Sequence, residues 1–278
     1  MKAARFDYQR PDSVARALEL LADDSAKAIA GGQSLGPMLN LRLARPATVV
    51  DISGLEELRG VSVRPDGLQI GAAVTHAQIE DGVFAPLRGH PVQRVARVIA
   101  YRGVRNRGTI GGSLAHADPA ADWVIVLTAL GAVLSLATRK GTREVAMADF
   151  MQGAYTTALA SDELITSVRL PAWGEAARWG YYKICRKTGE FAEASCAAVF
   201  DPQQKLARVV LGALDGPPQP LPGLAATVAR EGALADRPAI LAAVRAAAPG
   251  KDAVDCGLYA TAVERCLAQA LRTDEVTA

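Results

Sequence analysis

Two stretches decide how this chain is read: Ala30-Gly31-Gly32-Gln33-Ser34-Leu35, directly after an apolar run, and Thr109-Ile110-Gly111-Gly112-Ser113 further along. Each pairs two glycines, which reach left-handed backbone cheaply and let another group approach the main chain closely. Consecutive N–H groups in such turns form concave donor arrays for anions. A hydroxyl, Ser34 or Ser113, follows each turn's opening residue at the same distance. One Gly-Gly turn is ordinary loop geometry, but two such arrays facing each other suit a pyrophosphate. Neither stretch is Gly-x-Gly-x-x-Gly, and no Gly-Lys-Ser/Thr phosphate loop occurs, so spacing alone leaves the ligand open.

Outward from the first turn, Pro11-Asp12-Ser13 opens a helix whose apolar stripe is Val14, Ala17, Leu18 and Leu21. Residues 26–30 read as a strand, 35–43 as a short helix with Pro37 in its first turn, and 49–52 as a closing strand. Beyond residue 58, Val61-Ser62-Val63, the Pro65-Asp66-Gly67 turn and Leu68-Gln69-Ile70-Gly71 give a hairpin signal. Thr75 is an N-cap candidate, residues 91–98 read as helix, and Asp118-Pro119 as the cap and start of a helix over 120–130. Strands follow at 132–137 and 164–170. After Pro171-Ala172-Trp173-Gly174, residues 179–185, 194–200 and 206–214 suit an antiparallel sheet. Gly216-Pro217-Pro218-Gln219-Pro220 is a break, and the Ala-rich remainder ends in a helix with Val263, Cys266, Leu267, Ala270 and Leu271 on one face. Strands and helices mix without a strict βαβ rhythm, so the expected class is α+β, in two domains.

Composition narrows the function. The chain has 278 residues, half of them hydrophobic, and a formal net charge of +2. That excludes a strongly basic nucleic-acid surface, an acidic tail and general disorder. The longest apolar stretch, residues 123–136, is too short to span a membrane. The first residues lack the apolar run of a signal peptide, so the expectation is a cytoplasmic protein. Cys185, Cys196, Cys256 and Cys266 form no Cys-x-x-Cys pair, which argues for reduced thiols rather than a cluster or zinc held by this chain.

Taken together, Ala30-Gly31-Gly32-Gln33-Ser34-Leu35, Arg42-Leu43-Ala44-Arg45-Pro46, Val50-Asp51-Ile52 and the long segment Arg107-Gly108-Thr109-Ile110-Gly111-Gly112-Ser113-Leu114-Ala115-His116-Ala117-Asp118-Pro119-Ala120-Ala121-Asp122 resemble the medium, FAD-binding subunit of molybdenum hydroxylases. Carbon monoxide dehydrogenase and xanthine dehydrogenase typify that family. The resemblance covers essentially the whole chain, is strongest in residues 28–122 and 160–200, and thins after Gly216. It implies a vanillyl-alcohol-oxidase-type (PCMH-type) FAD-binding domain over residues 1–173, with subdomains at about 1–57 and 58–173. A C-terminal flavoprotein domain of antiparallel sheet plus helices follows over 176–278.

The resemblance also implies a cofactor site. Ala30, Gly31, Gly32, Gln33 and Ser34 become FAD diphosphate contacts, with Ile29 and Leu35 flanking them, and Thr109, Ile110, Gly111, Gly112 and Ser113 form the second set. Asp122 matches an aspartate that helps fix FAD; its alternative is a first-turn helix carboxylate favoured by the helix dipole. Ile165 falls where the family packs an apolar side chain beside the flavin. Lys183 matches a lysine near the isoalloxazine, where a cation would favour reduced, anionic flavin; its alternative is a solvated lysine on an edge strand. One departure stands out: in Arg186-Lys187-Thr188-Gly189-Glu190-Phe191-Ala192, Glu190 replaces the aspartate of many relatives, which puts its contact geometry in doubt.

The implied function is electron transfer. A large partner would carry a molybdenum pterin, and a small one two [2Fe-2S] clusters feeding FAD here, which passes electrons to an outside acceptor. A dimer of heterotrimers is implied in the same way. No catalytic acid–base residue and no metal site is expected in this chain. His116, Asp118 and Asp122 form His-x-Asp-x-x-x-Asp, but Asp118 has a better use as a cap. No Gly-x-Ser-x-Gly elbow is present. The alternatives are a freestanding flavoprotein oxidoreductase, for which the C-terminal half looks too small, and a non-catalytic scaffold that has lost FAD.

Overall fold

The N-terminal stretch runs β1 (Asp7–Gln9), α1 (Val14–Leu20), β2 (Ala26–Ile29), α2 (Leu35–Asn40) and β3 (Thr48–Asp51) in the computed structural model, which describes residues 2–271. The expected domain limits at residues 1 and 278 lie outside that range. Ser13 starts α1 because its extended backbone turns the hydroxyl to accept from Arg16 N–H, satisfying a donor the helix cannot. The strands pair in parallel in the order β1-β3-β2, with the helices as crossovers. This unit therefore keeps a local βαβ rhythm within a mixed fold. β2 lies at the sheet edge, so the glycine turn that follows Ile29 leaves the sheet free on one side.

The middle of the chain is built around a five-stranded antiparallel sheet in the order β4-β5-β10-β6-β7. Its parts are β4 (Val61–Arg64), β5 (Gly67–Gly71), α3 (His76–Glu80), α4 (Pro91–Ala96), α5 (Arg102–Arg105), α6 (Ile110–His116), α7 (Asp122–Leu130), β6 (Val133–Thr138), β7 (Gly141–Ala146), α8 (Met147–Phe150), β8 (Met151–Gly153), β9 (Thr156–Thr157) and β10 (Leu164–Pro171). Thr75 caps α3 in a reciprocal box with Gln78, as the sequence suggested. Asp118 does not start α7. That helix begins at Asp122 with Ala121 as its cap, and Asp118 instead accepts from Ala120 N–H in the turn before it. The second glycine pair is likewise not a turn: Gly111 and Gly112 sit in the first turn of α6.

The last part contains β11 (Arg178–Ile184), β12 (Ala194–Asp201), β13 (Leu206–Gly212), β14 (Gln219–Pro220), α9 (Pro222–Glu231), α10 (Arg237–Ala247) and α11 (Ala253–Leu271). These strands pair antiparallel in sequence order. β12 is buried along its whole length, because one face of the sheet meets the core around α7 and the other meets α9 to α11. That explains why Ala194-Ser195-Cys196-Ala197-Ala198-Val199-Phe200 shows no polar alternation. α7 is sandwiched in the same way and is apolar almost all round. The four cysteines are free, and Cys196, Cys256 and Cys266 are buried in the C-terminal part while Cys185 is half-buried.

α11 lies on β11 so closely that a Cβ on Gly180 would be 2.1 Å from Cys266 O. Gly180→Ala therefore forces helix and strand apart. The expected cost is about 1–3 kcal/mol, the range for overpacking a well-filled core, read as a lower urea midpoint with an unchanged slope. An unchanged midpoint would mean that the helix rides more loosely than this contact implies.

Candidate functional site

The first glycine turn is an open row of donors. Ile52 N–H closes the end of the sheet on Ile29 O at 2.9 Å, and the chain then reverses through Gly32 at φ 71°. Gly36 and Met38 N–H donate back to Gly32 and Ser34 O at 3.0 and 3.2 Å, which starts α2. Among the described residues, none of the backbone N–H groups of residues 30–35 meets an acceptor. Gly31 is required for a different reason than Gly32: its Cβ would lie 1.9 Å from Arg107 O and 2.9 Å from Gly108 N. The turn thus rests directly on the backbone of the second motif.

The second stretch brings far fewer free donors than two facing arrays would require. Ile110 N–H donates to Val74 O at 3.1 Å and Gly111 N–H to Ala72 O at 2.9 Å. Gly112 N–H is capped by Thr109 Oγ1 at 3.1 Å, and Ser113 N–H donates to Thr109 O at 3.0 Å. Gly111 is small because a Cβ would meet Ala72 Cβ at 2.6 Å. Helix geometry and docking against the end of β5 have consumed these N–H groups. The Ser113 hydroxyl still faces the cleft without a partner among the described residues.

Between the two motifs lies a cleft of about 700 Å³, well within the size of small-molecule sites. Leu164 and Ile165 at the start of β10 line one wall. Another part of the wall is the segment Ile99-Ala100, with Gly189, Glu190 and Phe191 from the β11–β12 loop. Two cations hold that segment in place. Arg105 Nη1 donates to Ile99 and Ala100 O at 2.9 and 2.8 Å, and Lys183 Nζ donates to Val98 O at 2.9 Å. Arg105 is itself clamped on Glu80 at 2.7 and 3.0 Å. Ala100 takes a left-handed φ of 43°, and Gly189 approaches so closely that a Cβ would be 2.6 Å from Ala100 O. Phe191 remains 65% exposed at the mouth.

Asp122, Tyr181 and Lys183 form a buried cluster at the back of this wall. Asp122 Oδ1 accepts from Tyr181 OH at 2.6 Å and pairs with Lys183 Nζ at 2.9 Å. Burial pushes the Asp122 carboxyl above the usual carboxylate range, against the opposing pull of Lys183 and the Tyr181 hydroxyl. The Lys183 ammonium spends its three N–H bonds on Asp122, Val98 O and Glu190 O. It borders a smaller cavity behind the cleft wall, so it is neither a solvated lysine nor a free cation facing the cleft. The Glu190 side chain turns outward to Arg186 and Lys187 at 3.4 and 3.6 Å, and the residue serves the wall through its backbone.

The structure brings Ile29 to Leu35, Thr109, Gly111 to Ser113, Asp122 and Ile165 to the cleft. Ile110 lies in the core beneath it, and Lys183 lies one layer back. Sequence reasoning missed Ile99, Ala100 and His76, none of which sits in a motif that names it, and passed over Gly189 within residues 186–192. The carboxylates that border the cleft are engaged: Asp122 and Glu190 as above, Glu163 by Arg143 at 2.6 and 2.7 Å, and Asp118 by Tyr155 OH and Ala120 N–H at 3.3 and 2.9 Å. The turn itself carries no acid, so an anion laid on residues 30–35 meets donors. A dinucleotide with a diphosphate between two largely uncharged ends fits this chemistry.

Comparison with known proteins points the same way. A family model described as the FAD binding domain in molybdopterin dehydrogenase matches residues 4–173. The carbon monoxide dehydrogenase medium chain of Hydrogenophaga pseudoflava is 38% identical over 197 residues, 70% of this chain and 69% of that protein. The nicotine 6-hydroxylase medium subunit of Paenarthrobacter nicotinovorans is 36% identical over 226 residues, 80% of this chain and 79% of its own. Among solved structures, quinoline 2-oxidoreductase from Pseudomonas putida 86 superposes with a TM-score of 0.85 at 30% identity, covering 98% of both chains.

Proposed function

The chain belongs to the family of FAD-binding medium subunits of molybdenum hydroxylases, and from that premise we propose that its cleft holds FAD with the diphosphate on the amides of residues 30–35. The observation that carries this reading is that unbroken row of unpaired N–H groups fronting the cleft. FAD held there would supply the redox chemistry that takes single electrons from the [2Fe-2S] clusters of a partner and passes them to an outside acceptor. Thr109 and Ser113 supply hydroxyls, and Ile29, Leu35 and Ile165 supply apolar wall. Asp122 and Lys183 act as a neutralised pair that fixes the wall, while the β11–β12 loop shields the mouth with Phe191. We divide the chain into a cofactor-binding unit of residues 1–173, with subdomains meeting near residue 57, and a C-terminal unit of 176–278. The break falls where the five-stranded sheet ends at Pro171 and the next begins at Arg178.

The partners of this reading are a large molybdenum-pterin subunit and a small iron–sulfur subunit, assembled as a dimer of heterotrimers. None of the described helices is long and apolar enough to cross a membrane. Four free thiols favour a reducing compartment, the cytoplasm. The test is the visible spectrum and released cofactor of the purified chain, alone and co-expressed with its genomic neighbours. Released FAD from the chain alone, with molybdenum and iron appearing only alongside partners, is the expected result. A colourless chain that takes up no added FAD would contradict it and leave a scaffold.

A further inference from the structure

The cleft carries one buried polar side chain that contacts within the chain only half explain. His76, the first residue of α3, is 4% exposed. Its Nδ1 accepts from Trp123 Nε1 at 3.0 Å. An indole N–H can only donate, so Nδ1 is bare and a neutral imidazole carries its proton on Nε2. Burial, reinforced by the nearby Arg105 charge, pushes the His76 pKa down to about 4, so the ring is neutral at neutral pH. Among the described residues Nε2 has no hydrogen-bond partner. The Cδ2–Nε2 edge lies against Gly108, where a Cβ would be 2.9 Å from both atoms, and both residues line the cleft. Gly108 also underlies the first glycine turn, since a Cβ on Gly31 would be 2.9 Å from its N. Nε2 is not fully buried, so this donor opens onto the cleft, and Gly108 lies against both it and the first glycine turn.

We propose that His76 Nε2–H donates a hydrogen bond to a diphosphate oxygen of the bound dinucleotide, adding one side-chain donor to the backbone row. This rests on the reading of the cleft as the FAD site. Trp123 is then a positioning residue, because its indole N–H selects the tautomer that donates into the cleft. Gly108 is small so that the imidazole edge stays uncovered.

The test uses the full chain, stripped of flavin and titrated with FAD, together with phosphorus NMR of the bound diphosphate. His76→Leu is expected to weaken FAD binding by roughly tenfold to a hundredfold, the range for losing one hydrogen bond to a charged acceptor, and to shift the diphosphate resonances. His76→Gln places an amide N–H near the Nε2 position and is expected to recover most of both. Unmoved resonances in the leucine variant, or a glutamine variant that recovers nothing, would overturn the assignment. Failure of the unaltered chain to take up FAD would instead overturn the reading of the cleft.

Discussion

Gly31→Ala is expected to leave the chain folded and nearly unable to retain FAD. The added Cβ would sit 1.9 Å from Arg107 O, a backbone atom that no rotamer change can move aside. Relief requires the turn and residues 107–108 to separate by more than an ångström, which pulls the amides of residues 30–35 off a common centre. Losing two hydrogen bonds to a charged ligand removes about 3 kcal/mol or more, roughly a hundredfold in affinity. Two neighbouring glycines calibrate the effect. Gly32→Ala meets only the Ile29 side chain, at 3.4 Å, but must hold φ 71°; its cost is about 1–2 kcal/mol of backbone strain and a smaller loss of affinity. Gly36→Ala meets nothing within 4 Å and lies inside α2, so it should bind FAD normally. Flavin retained after desalting, with thermal midpoints measured alongside, checks the order Gly31, Gly32, Gly36. Equal retention in all three variants would mean that the turn does not hold the cofactor.

Lys183→Met is expected to be the most destabilising single change in the cluster behind the cleft. The pair is only 7% and 6% exposed, so screening by water is weak, and removing the cation strands a buried carboxylate. Breaking such a pair costs about 3–5 kcal/mol. The sign of the pH dependence follows from Asp122. Its folded-state pKa already lies above the ordinary 3.8 through burial, and losing Lys183 raises it further. A group raised in this way contributes fully below its unfolded pKa, and that stability is lost as pH rises through the folded value. The variant should therefore lie closer to the parent near pH 5 than at pH 8. Asp122→Asn added to Lys183→Met should recover part of the loss and flatten the pH dependence. Urea unfolding of the parent and both variants at both pH values reads this directly; a pH-independent loss would assign Lys183 a packing role alone. FAD affinity should also fall, because Val98 and Glu190 O lose their shared donor and the cleft wall loosens.

Much of the fold is legible in local chemistry. Ser13 and Thr75 cap helices as their side chains require, and the hairpin at Pro65-Asp66-Gly67 forms between β4 and β5. Where local signals fail, tertiary contacts have overridden them. Asp118-Pro119 reads as a helix start, yet Asp118 turns the chain and α7 begins at Asp122, where Tyr181 and Lys183 await the carboxylate. The second glycine pair reads as a twin of the first, yet Ala72 and Val74 take its N–H groups. A spacing cannot reveal that a distant strand end already occupies a donor. Lys183 was recognisable as a cation at the site, but the layer it occupies depends on Val98 O, more than 80 residues away in sequence. His76 and Ala100 were invisible for the same reason: each owes its role to partners brought by the fold.

Backbone amide exchange, measured by NMR on the chain with and without FAD, tests the asymmetry of the two glycine motifs most directly. The N–H groups of residues 30–35 are unpaired and should exchange rapidly in the free chain, then gain strong protection when FAD binds. Those of Ile110 to Ser113, already bonded to Val74, Ala72 and Thr109, should change little. Bound FAD with no added protection at residues 30–35 would contradict the site, and protection confined to residues 110–113 would place the diphosphate on the other motif.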